Sequence, residues 1–206
     1  MKISLTFFGV VLLIAPLFAR EGARGWNFDS DQTGSIARDF TNESGEWKVV
    51  ADSTAPSQPN VLAQVAKNSG SAFNTALLNG SNYRDLELAV KMKAIAGKED
   101  QGGGLIWRAK DSKNYYLARF NPLEDNYRLY KVGKGKRILI KSAEVKHIDG
   151  WHTLRVFMKG DLIQCFYDDK MVLEVKDSTF QGPGKVGLWT KADAQSYFDD
   201  LAVSEK

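Results

Sequence analysis

The sequence predicts an all-β protein in which two antiparallel sheets pack as a sandwich. Nearly every segment after residue 45 alternates apolar and polar side chains, which is the period of a half-buried strand. The breaks between segments, such as "DS", "PLED" and "GKG", are short enough that successive strands are expected to be antiparallel neighbours. No stretch sustains a helical period, and many short strands without helices between them are typical of a sandwich or barrel.

The first segment, "MKISLTFFGVVLLIAPLFAR", is treated apart from the domain. Lys2 is followed by an apolar run that is short for a bilayer, which needs about 20 apolar residues. We therefore predict a signal peptide over residues 1–19 and export to the periplasm or the medium, with an uncleaved N-terminal anchor as the alternative. Residues 20–206 are predicted to form one domain, with no membrane span in the mature chain.

Charge and cysteine content exclude several classes of protein. A formal net charge of +3 is too balanced for a dedicated nucleic-acid binder. Cys165 is the sole cysteine, so the chain cannot form an intramolecular disulfide. Because Cys165 alternates with Ile163 and Tyr167, we interpret it as a small buried residue of a strand rather than as a nucleophile.

The strands are expected to follow the alternating segments in order. The longest, "RDLELAVKMKAIAG", places Leu86, Leu88 and Val90 on one face. Near the end, the odd spacing of Phe198 and Leu201 predicts a bulge at Asp199-Asp200. The expected strand segments are 46–52, 60–66, 74–79, 84–97, 102–110, 113–121, 126–133, 137–146, 151–177 (with turns at Lys159-Gly160 and Asp168-Asp169), 185–190 and 196–203.

The sequence offers no catalytic set. Asp85 and Glu87 are the only carboxylates at i and i+2 on the long strand, and their regular alternation with leucines predicts that both face solvent. The two histidines, His147 and His152, have no Gly-x-Ser-x-Gly elbow to accompany them, and we interpret His152 as structural or solvated. No catalytic residue, cofactor or metal ligand is assigned.

Three consecutive central strands are predicted to present arginine and tyrosine on one sheet face. Each arginine has parity opposite to the apolar residues judged to be core on its strand, such as Trp107, Phe120 and Leu129. Aromatic rings and planar guanidinium groups suit sugars, whereas the alternative is a solvated sheet face. The following basic segment, "KVGKGKRILIK", is interpreted as a soluble hairpin tip, with contact to acidic glycans or an anionic surface as the alternative. The residues predicted to bind a ligand are Arg108, Arg119, Arg128, Tyr115 and Tyr130, with Trp189 at the rim.

Several segments together resemble one known family. "GKVGLWTKADAQSYFDDLAV", "WHTLRVFMKGDLIQCFYDDKMVLEV", "GGGLIWRAKDSKNYYLARFN" and "GWNFDSDQTG" resemble concanavalin A-like jelly-roll domains. Within these, they are most similar to the laminin-G-like group that includes the bacterial 3-keto-disaccharide hydrolase domains. The resemblance implies a jelly roll over most of residues 25–203, but folds of this kind host many functions, and no hydrolase residue set is carried over.

The resemblance also raises the question of a structural calcium ion, which related jelly rolls sometimes hold between the first and last strands. The carboxylates available are Asp29, Asp31, Asp199 and Asp200. Because the sequence has no EF-hand-type loop, turn caps or solvent-facing side chains are the preferred interpretation.

Three functional hypotheses follow. The leading one is an exported, non-catalytic domain that binds carbohydrate, or a related extracellular ligand, on the arginine and tyrosine face. The second is a hydrolase of keto-glycosides, which rests on the resemblance. The third is a structural or protein-interaction module, which a large exposed apolar patch would favour.

Overall fold

The computed structural model describes residues 22–206, and within them every regular element is a β-strand. Fifteen strands are numbered in chain order. They are β1 (Arg24–Trp26), β2 (Phe40–Ser44), β3 (Trp47–Ala51), β4 (Asn60–Gln64), β5 (Phe73–Leu78), β6 (Leu86–Ala96), β7 (Gly103–Asp111), β8 (Asn114–Asn121), β9 (Asn126–Gly133), β10 (Lys136–Glu144), β11 (His152–Lys159), β12 (Leu162–Tyr167), β13 (Lys170–Lys176), β14 (Lys185–Lys191) and β15 (Gln195–Glu205).

The strands form two antiparallel sheets, which confirms the predicted sandwich. The first sheet has the order β13-β12-β11-β6-β15-β4-β3, and β1 also pairs with β15. The second sheet has the order β10-β9-β8-β7-β14-β5-β2. Strands β7 to β10 are sequential neighbours, as their short connections predicted, whereas β14 inserts between β7 and β5 from far along the chain.

The main core lies between the sheets and follows from alternation. Leu88 and Val90 of β6 face Leu105 and Trp107 of β7 across it, and all four are almost fully buried. The Trp107 ring stacks on Tyr116 with centroids 5.6 Å apart, and its indole N–H lies 2.9 Å from a first-sheet sulfur atom, that of Met158. Burying each such side chain contributes about 1.5–3 kcal/mol, so this layer is the main source of stability.

Most sequence-based boundaries agree with the structure. Strand β9 matches its predicted segment, residues 126–133, and the register shift between Asp199 and Ala202 confirms the predicted bulge. Strand β2 was not predicted, because "FTNES" alternates too weakly. The predicted signal peptide, residues 1–19, lies outside the described residues. Between residues 22 and 206 there is no helix with the length and apolar character needed to cross a membrane.

Two tight turns set the register of the β9–β10 and β12–β13 hairpins. Lys134 and Gly135 both have positive φ, 51° and 76°, and join β9 to β10. Asp168 and Asp169 do the same between β12 and β13, with φ of 46° and 64°. Turns with two residues of positive φ match the twist of the flanking strands, so the two strands of each hairpin pair with each other right up to the turn.

Candidate functional site

The second sheet carries a second apolar layer on the face that points away from the main core. We call this surface the outer face. Its buried members come from five different strands and are each at most 5% exposed, which is unusual for a sheet surface. They are Leu77, Ile106, Ala109, Tyr115, Leu117, Tyr130, Val132 and Trp189, with Phe73 packed against them.

A row of cross-strand partners places Trp189 beside the predicted arginines. Trp189 pairs with Gly104, Gly104 with Arg119, and Arg119 with Arg128. Gly104 is required because a Cβ there would lie 2.1 Å from the carbonyl oxygen of Ala118. Because Gly104 has no side chain, nothing projects from the sheet between the Trp189 indole and Arg119. Trp189 lies on β14, directly beside the three strands that carry the predicted arginine and tyrosine face.

Arg137 of β10 extends over the outer face and packs among aromatic rings. Its guanidinium carbon lies 4.4 Å from the ring centroid of Tyr130, 5.6 Å from that of Trp189 and 5.7 Å from that of Phe73. Burial lowers the pKa of Arg137 from its ordinary value, and the neighbouring charge of Arg119 lowers it further. Arg137 is therefore a partly desolvated cation held by cation–π contacts.

One end of the outer face carries carboxylates. Glu124 Oε2 accepts hydrogen bonds from Arg119 Nη2 at 2.9 Å, Arg128 Nη1 at 3.0 Å and Asn126 Nδ2 at 3.0 Å. Burial opposes ionisation of Glu124, but the bonds from Asn126 and Arg119, with the charges of both arginines, outweigh it and lower its pKa. Glu124 therefore stays ionised and shares one negative charge between two arginines.

Asp100 closes the same end from the loop before β7. Its Oδ1 accepts a hydrogen bond from Asn121 Nδ2 at 2.8 Å, and its Oδ2 forms an ion pair with Lys191 Nζ at 3.1 Å. The loop itself is held by Asp193, whose carboxylate accepts backbone N–H groups of residues 98, 99 and 100. The position of Asp100 is thus determined by a rigid loop.

Several buried polar atoms of the outer face have no hydrogen-bond partner among residues 22–206. Buried polar atoms are almost always paired in folded proteins, so a cluster of unpaired ones calls for an explanation. A ligand that supplies acceptors would satisfy them. The atoms are Arg119 Nε and Nη1, Arg137 Nη1, Tyr115 Oη and Trp189 Nε1.

The structure brings most of the predicted binding residues together. Tyr115, Tyr130 and Trp189 share the outer cluster. The guanidinium carbon of Arg119 lies 5.9 Å from the Tyr130 ring centroid, and only 1% of the Arg119 surface is exposed. Arg128 lies at the margin, where it also donates to Ser142 Oγ at 3.4 Å.

Arg108 does not share this face, so its predicted placement is wrong. Its φ of 46° interrupts the alternation of β7, and the register with β8 shifts after Trp107. Its guanidinium donates to the backbone carbonyls of Arg84 at 2.7 Å, Phe180 at 2.7 Å and Gly160 at 2.9 Å. Arg108 therefore serves the end of the sandwich and not the outer face.

Of the two carboxylates predicted to face solvent, Glu87 of β6 is buried, so its prediction is wrong, whereas Asp85, which precedes the strand, is partly exposed. Glu87 is almost fully buried, because Arg155 Nη1 and Lys206 Nζ approach its two oxygens at 3.1 Å and 3.0 Å. Asp85 Oδ1 accepts hydrogen bonds from Arg108 Nη2 at 3.1 Å and from the backbone N–H of Gly160 at 2.8 Å. Both acids belong to the first-sheet side of the molecule, remote from the outer face.

The remaining sequence candidates have structural surroundings. His152 lies 2.6 Å from Asp168 Oδ2 through Nδ1 and 2.6 Å from the Ile148 carbonyl through Nε2, as expected of a structural histidine. Cys165 is fully buried in the main core, and burial raises the pKa of its thiol. A protonated, inaccessible thiol is a poor nucleophile.

Three of the four aspartates considered for calcium accept backbone N–H groups and so hold loops. Asp29 Oδ1 accepts the backbone N–H of Asn60 at 3.2 Å, Asp31 accepts that of Arg38 at 3.3 Å, and Asp199 accepts that of Ser57 at 2.8 Å. Burial raises the pKa of Asp200, Lys91 lowers it, and the nearby charge of Asp29 raises it further. In the described part of the chain, no group of three or more His, Cys, Asp or Glu side chains is placed to hold a metal ion.

Sequence reasoning missed Arg137, Phe73 and Glu124. A signal for Arg137 was present, because a two-residue Lys134-Gly135 turn pairs Arg137 with Val132, which shares parity with Tyr130. The segment was read as a soluble hairpin tip instead. Phe73 and Glu124 gave no comparable signal, since Phe73 joins the face through a distant strand and Glu124 lies in a turn.

The chain is similar to several known proteins. It is 26% identical to the levanase of Bacillus subtilis (strain 168) over 180 residues, which is 84% of this chain but 23% of the levanase. Its fold matches the carbohydrate-binding module CBM66 from Bacillus subtilis, with a TM-score of 0.68 and 21% identity over 81% of this chain and 96% of the module. It also matches the GH43 protein BlXynB from Bacillus licheniformis, with a TM-score of 0.63 and 13% identity over 88% of this chain and 39% of that protein.

At these low sequence identities, the similarity to the solved structures shows the fold alone. The chain spans about a quarter of the length of the levanase. The family comparison covers far more of the sequence, since the model described as the 3-keto-alpha-glucoside-1,2-lyase-like domain matches residues 17–204. Over this range lie both sheets and every residue of the outer face. The chain therefore belongs to the family of 3-keto-alpha-glucoside-1,2-lyase-like domains.

Proposed function

We propose that this protein is an exported, non-catalytic domain that binds carbohydrate on the outer face of its second sheet. The observation that carries the proposal is the set of buried, unpartnered donors of Arg119, Arg137, Tyr115 and Trp189, which lie among aromatic rings. Aromatic rings cover the apolar C–H surfaces of sugars, and fixed N–H and O–H groups bind their hydroxyls. The similarity to a carbohydrate-binding module and to a levanase supports the same class of ligand.

Trp189 provides the direct test, because the fluorescence of its own indole can report on a ligand bound to the outer face. We expect tryptophan fluorescence to change when a binding glycan is added, and Trp189→Phe to abolish the change and weaken binding by about tenfold, the loss typical of one good stacking and hydrogen-bonding contact. Levan and other neutral and acidic oligosaccharides serve as probes. Trp151→Phe is the matched control, because the Trp151 indole lies on the other side of the molecule and donates to Thr54 Oγ1. Equal binding by both variants would contradict the proposal.

A second function is favoured by the family description and by the carboxylates at one end of the outer face. Glu124 is the carboxylate placed to accept a proton from a glycoside bound there, with Asp100 nearby, although its lowered pKa makes it a weaker base than an ordinary glutamate. A screen for cleavage of 3-keto-glucosides by the wild-type protein and Glu124→Gln distinguishes the two. Turnover that Glu124→Gln abolishes would establish the enzyme, whereas binding without turnover supports the binding domain.

A further inference from the structure

We infer that the ligand carries a carboxylate, so that the outer face takes an acidic, uronate-containing glycan whose carboxylate lies between Arg119 and Arg137. The inference rests on the proposed function and adds the chemical class of the ligand. It depends on charge balance, on burial and on the free donors.

The outer face holds more positive than negative charge. Glu124 is the carboxylate nearest to Arg119 and Arg128, and it forms ion pairs with both at 2.9 Å and 3.0 Å. Asp100 is engaged by Lys191 at 3.1 Å. Within residues 22–206, Arg137 forms no ion pair. Three arginines therefore share a single carboxylate, and an anion is the group that would balance them.

The excess charge is held away from water, where it is costly. Arg119 is 1% exposed, and its guanidinium and that of Arg137 both lie against the ring of Tyr130. Two like charges near one ring repel each other more strongly in a partly desolvated site than in solvent. Burying a charge without a counter-ion is unfavourable, so the arrangement is easiest to explain as one prepared for an incoming anion.

The free donors of the two arginines suit a carboxylate better than neutral hydroxyls. Arg119 has two buried nitrogens without a partner, Nε and Nη1, and Arg137 has one, Nη1. A carboxylate offers two oxygens and about four acceptor positions, and its charge-assisted bonds to guanidinium are roughly twice as strong as neutral ones. A hydroxyl would fill a donor but would leave the positive charge uncompensated. The unpartnered Trp189 Nε1 and Tyr115 Oη remain to bind hydroxyls of the same sugar.

The test compares acids with esters of the same sugar chain. Isothermal titration calorimetry of the purified protein would use oligogalacturonides and their methyl esters, together with glucuronate and mannuronate oligomers and neutral levan oligomers. We expect at least one of the acidic oligomers to bind about tenfold or more tightly than its methyl ester. Arg137→Gln should remove that preference while retaining the weaker affinity for the ester.

Matched variants locate the contact. Lys136→Gln removes one charge from the neighbouring, exposed position of β10 and should keep the preference for the acid. Arg119→Lys retains the charge but loses the planar donors, and it should reduce the preference in part. The thermal unfolding of each variant is measured to check that the domain is folded.

The outcomes separate the inference from the proposed function. Binding of neutral oligomers or esters as tightly as acids would overturn the inference and leave carbohydrate binding in place. A preference for acids that survives Arg137→Gln and Arg119→Lys would place the carboxylate elsewhere and would also overturn it. Binding of no glycan, acidic or neutral, would overturn the proposed function and the inference together.

Discussion

At the scale of single residues, Asp199 shows how this protein uses a buried acid to hold a loop. Its carboxylate accepts the backbone N–H of Ser57 at 2.8 Å, the Ser57 hydroxyl at 2.9 Å and the backbone N–H of Asp200 at 2.7 Å. Burial raises the pKa of Asp199 to about 6, although the bonds from Ser57 and Asp200 act in the opposite direction. The side chain thus favours its protonated form more in the folded protein than in the unfolded chain.

We expect Asp199→Asn to change how stability depends on pH. Because the folded pKa of about 6 exceeds the ordinary 3.8, the stability linked to the protonated form is complete below 3.8 and is lost as pH rises through 6. The wild-type free energy of unfolding should therefore fall, relative to the variant, by up to about 3 kcal/mol between about pH 4 and about pH 7. Urea denaturation at a series of pH values measures the difference. Asp161→Asn, at an exposed position, is the control, and a constant difference between wild type and Asp199→Asn would contradict the expectation.

At the scale of elements, Arg108 connects β7 to the far side of the sandwich. It lies at a bulge near the end of β7, and its guanidinium reaches the segment before β6, the β11–β12 turn at Gly160 and the β13–β14 connection at Phe180. Asp85 forms an ion pair with it at 3.1 Å. One side chain therefore links β7 to three connections that are distant from it in the chain.

We expect Arg108→Ala to destabilise the fold strongly. The change leaves three backbone carbonyls without a donor and Asp85 without its cation, which corresponds to a loss of about 3–5 kcal/mol for a broken buried ion pair and its hydrogen bonds. Arg108→Lys should also be destabilising, since an ammonium cannot reach all four acceptors. Chemical denaturation checks both, with Arg38→Ala as the control because that side chain is 73% exposed. Wild-type stability in Arg108→Ala would show that the links are not important.

The β9–β10 hairpin is the element that delivers Arg137 to the outer face. The Lys134-Gly135 turn pairs Gly133 with Lys136 and Val132 with Arg137, and a shift of one residue would point Arg137 away from Tyr130. Strand β10 is otherwise exposed along most of its length. Its Ile140 and Ala143 pack against the main core, and its contribution to the outer face is the placement of Arg137.

At the scale of the whole molecule, stability is concentrated in the interior strands, which have a hydrogen-bonded neighbour on each side and face the main core. Strand β6 pairs with β11 and β15, and its inward side chains lie in the main core. Strands β10 and β13 each form one edge of a sheet, and each has a row of exposed residues. The outer face adds a second apolar layer to β7, β8 and β14 in the second sheet.

We expect native-state hydrogen exchange to follow this arrangement. Amides of β6, β8 and β15 should exchange slowest, with protection near the global free energy of unfolding, because their hydrogen bonds are flanked by strands on both sides. Amides of β10 and β13 should exchange by local opening and should be less protected. Exchange measured by mass spectrometry or NMR provides the profile, and equal protection of β10 and β6 would contradict it.

The sequence alone determined the fold class and most of the strands, because these depend on local patterns. Alternation with period two and short turns identified β9 with its boundaries, and odd apolar spacing identified the bulge at Asp199. The same alternation placed Tyr115, Tyr130 and Arg119 on one face, since a strand without bulges keeps its parity. Each of these features is specified by residues that are neighbours in the chain.

The tertiary structure decided the features that depend on distant parts of the chain. Arg108 left the expected face because one residue with positive φ reversed the parity of β7, and its acceptors come from three remote connections. Glu87 became buried because Arg155 and Lys206 approach it from distant parts of the chain. The candidate site was completed by Arg137, which meets Trp189 only because β14 inserts into the second sheet beside β7. Alternation describes one strand at a time, whereas charge pairing and the shape of a site are properties of strands brought together by folding.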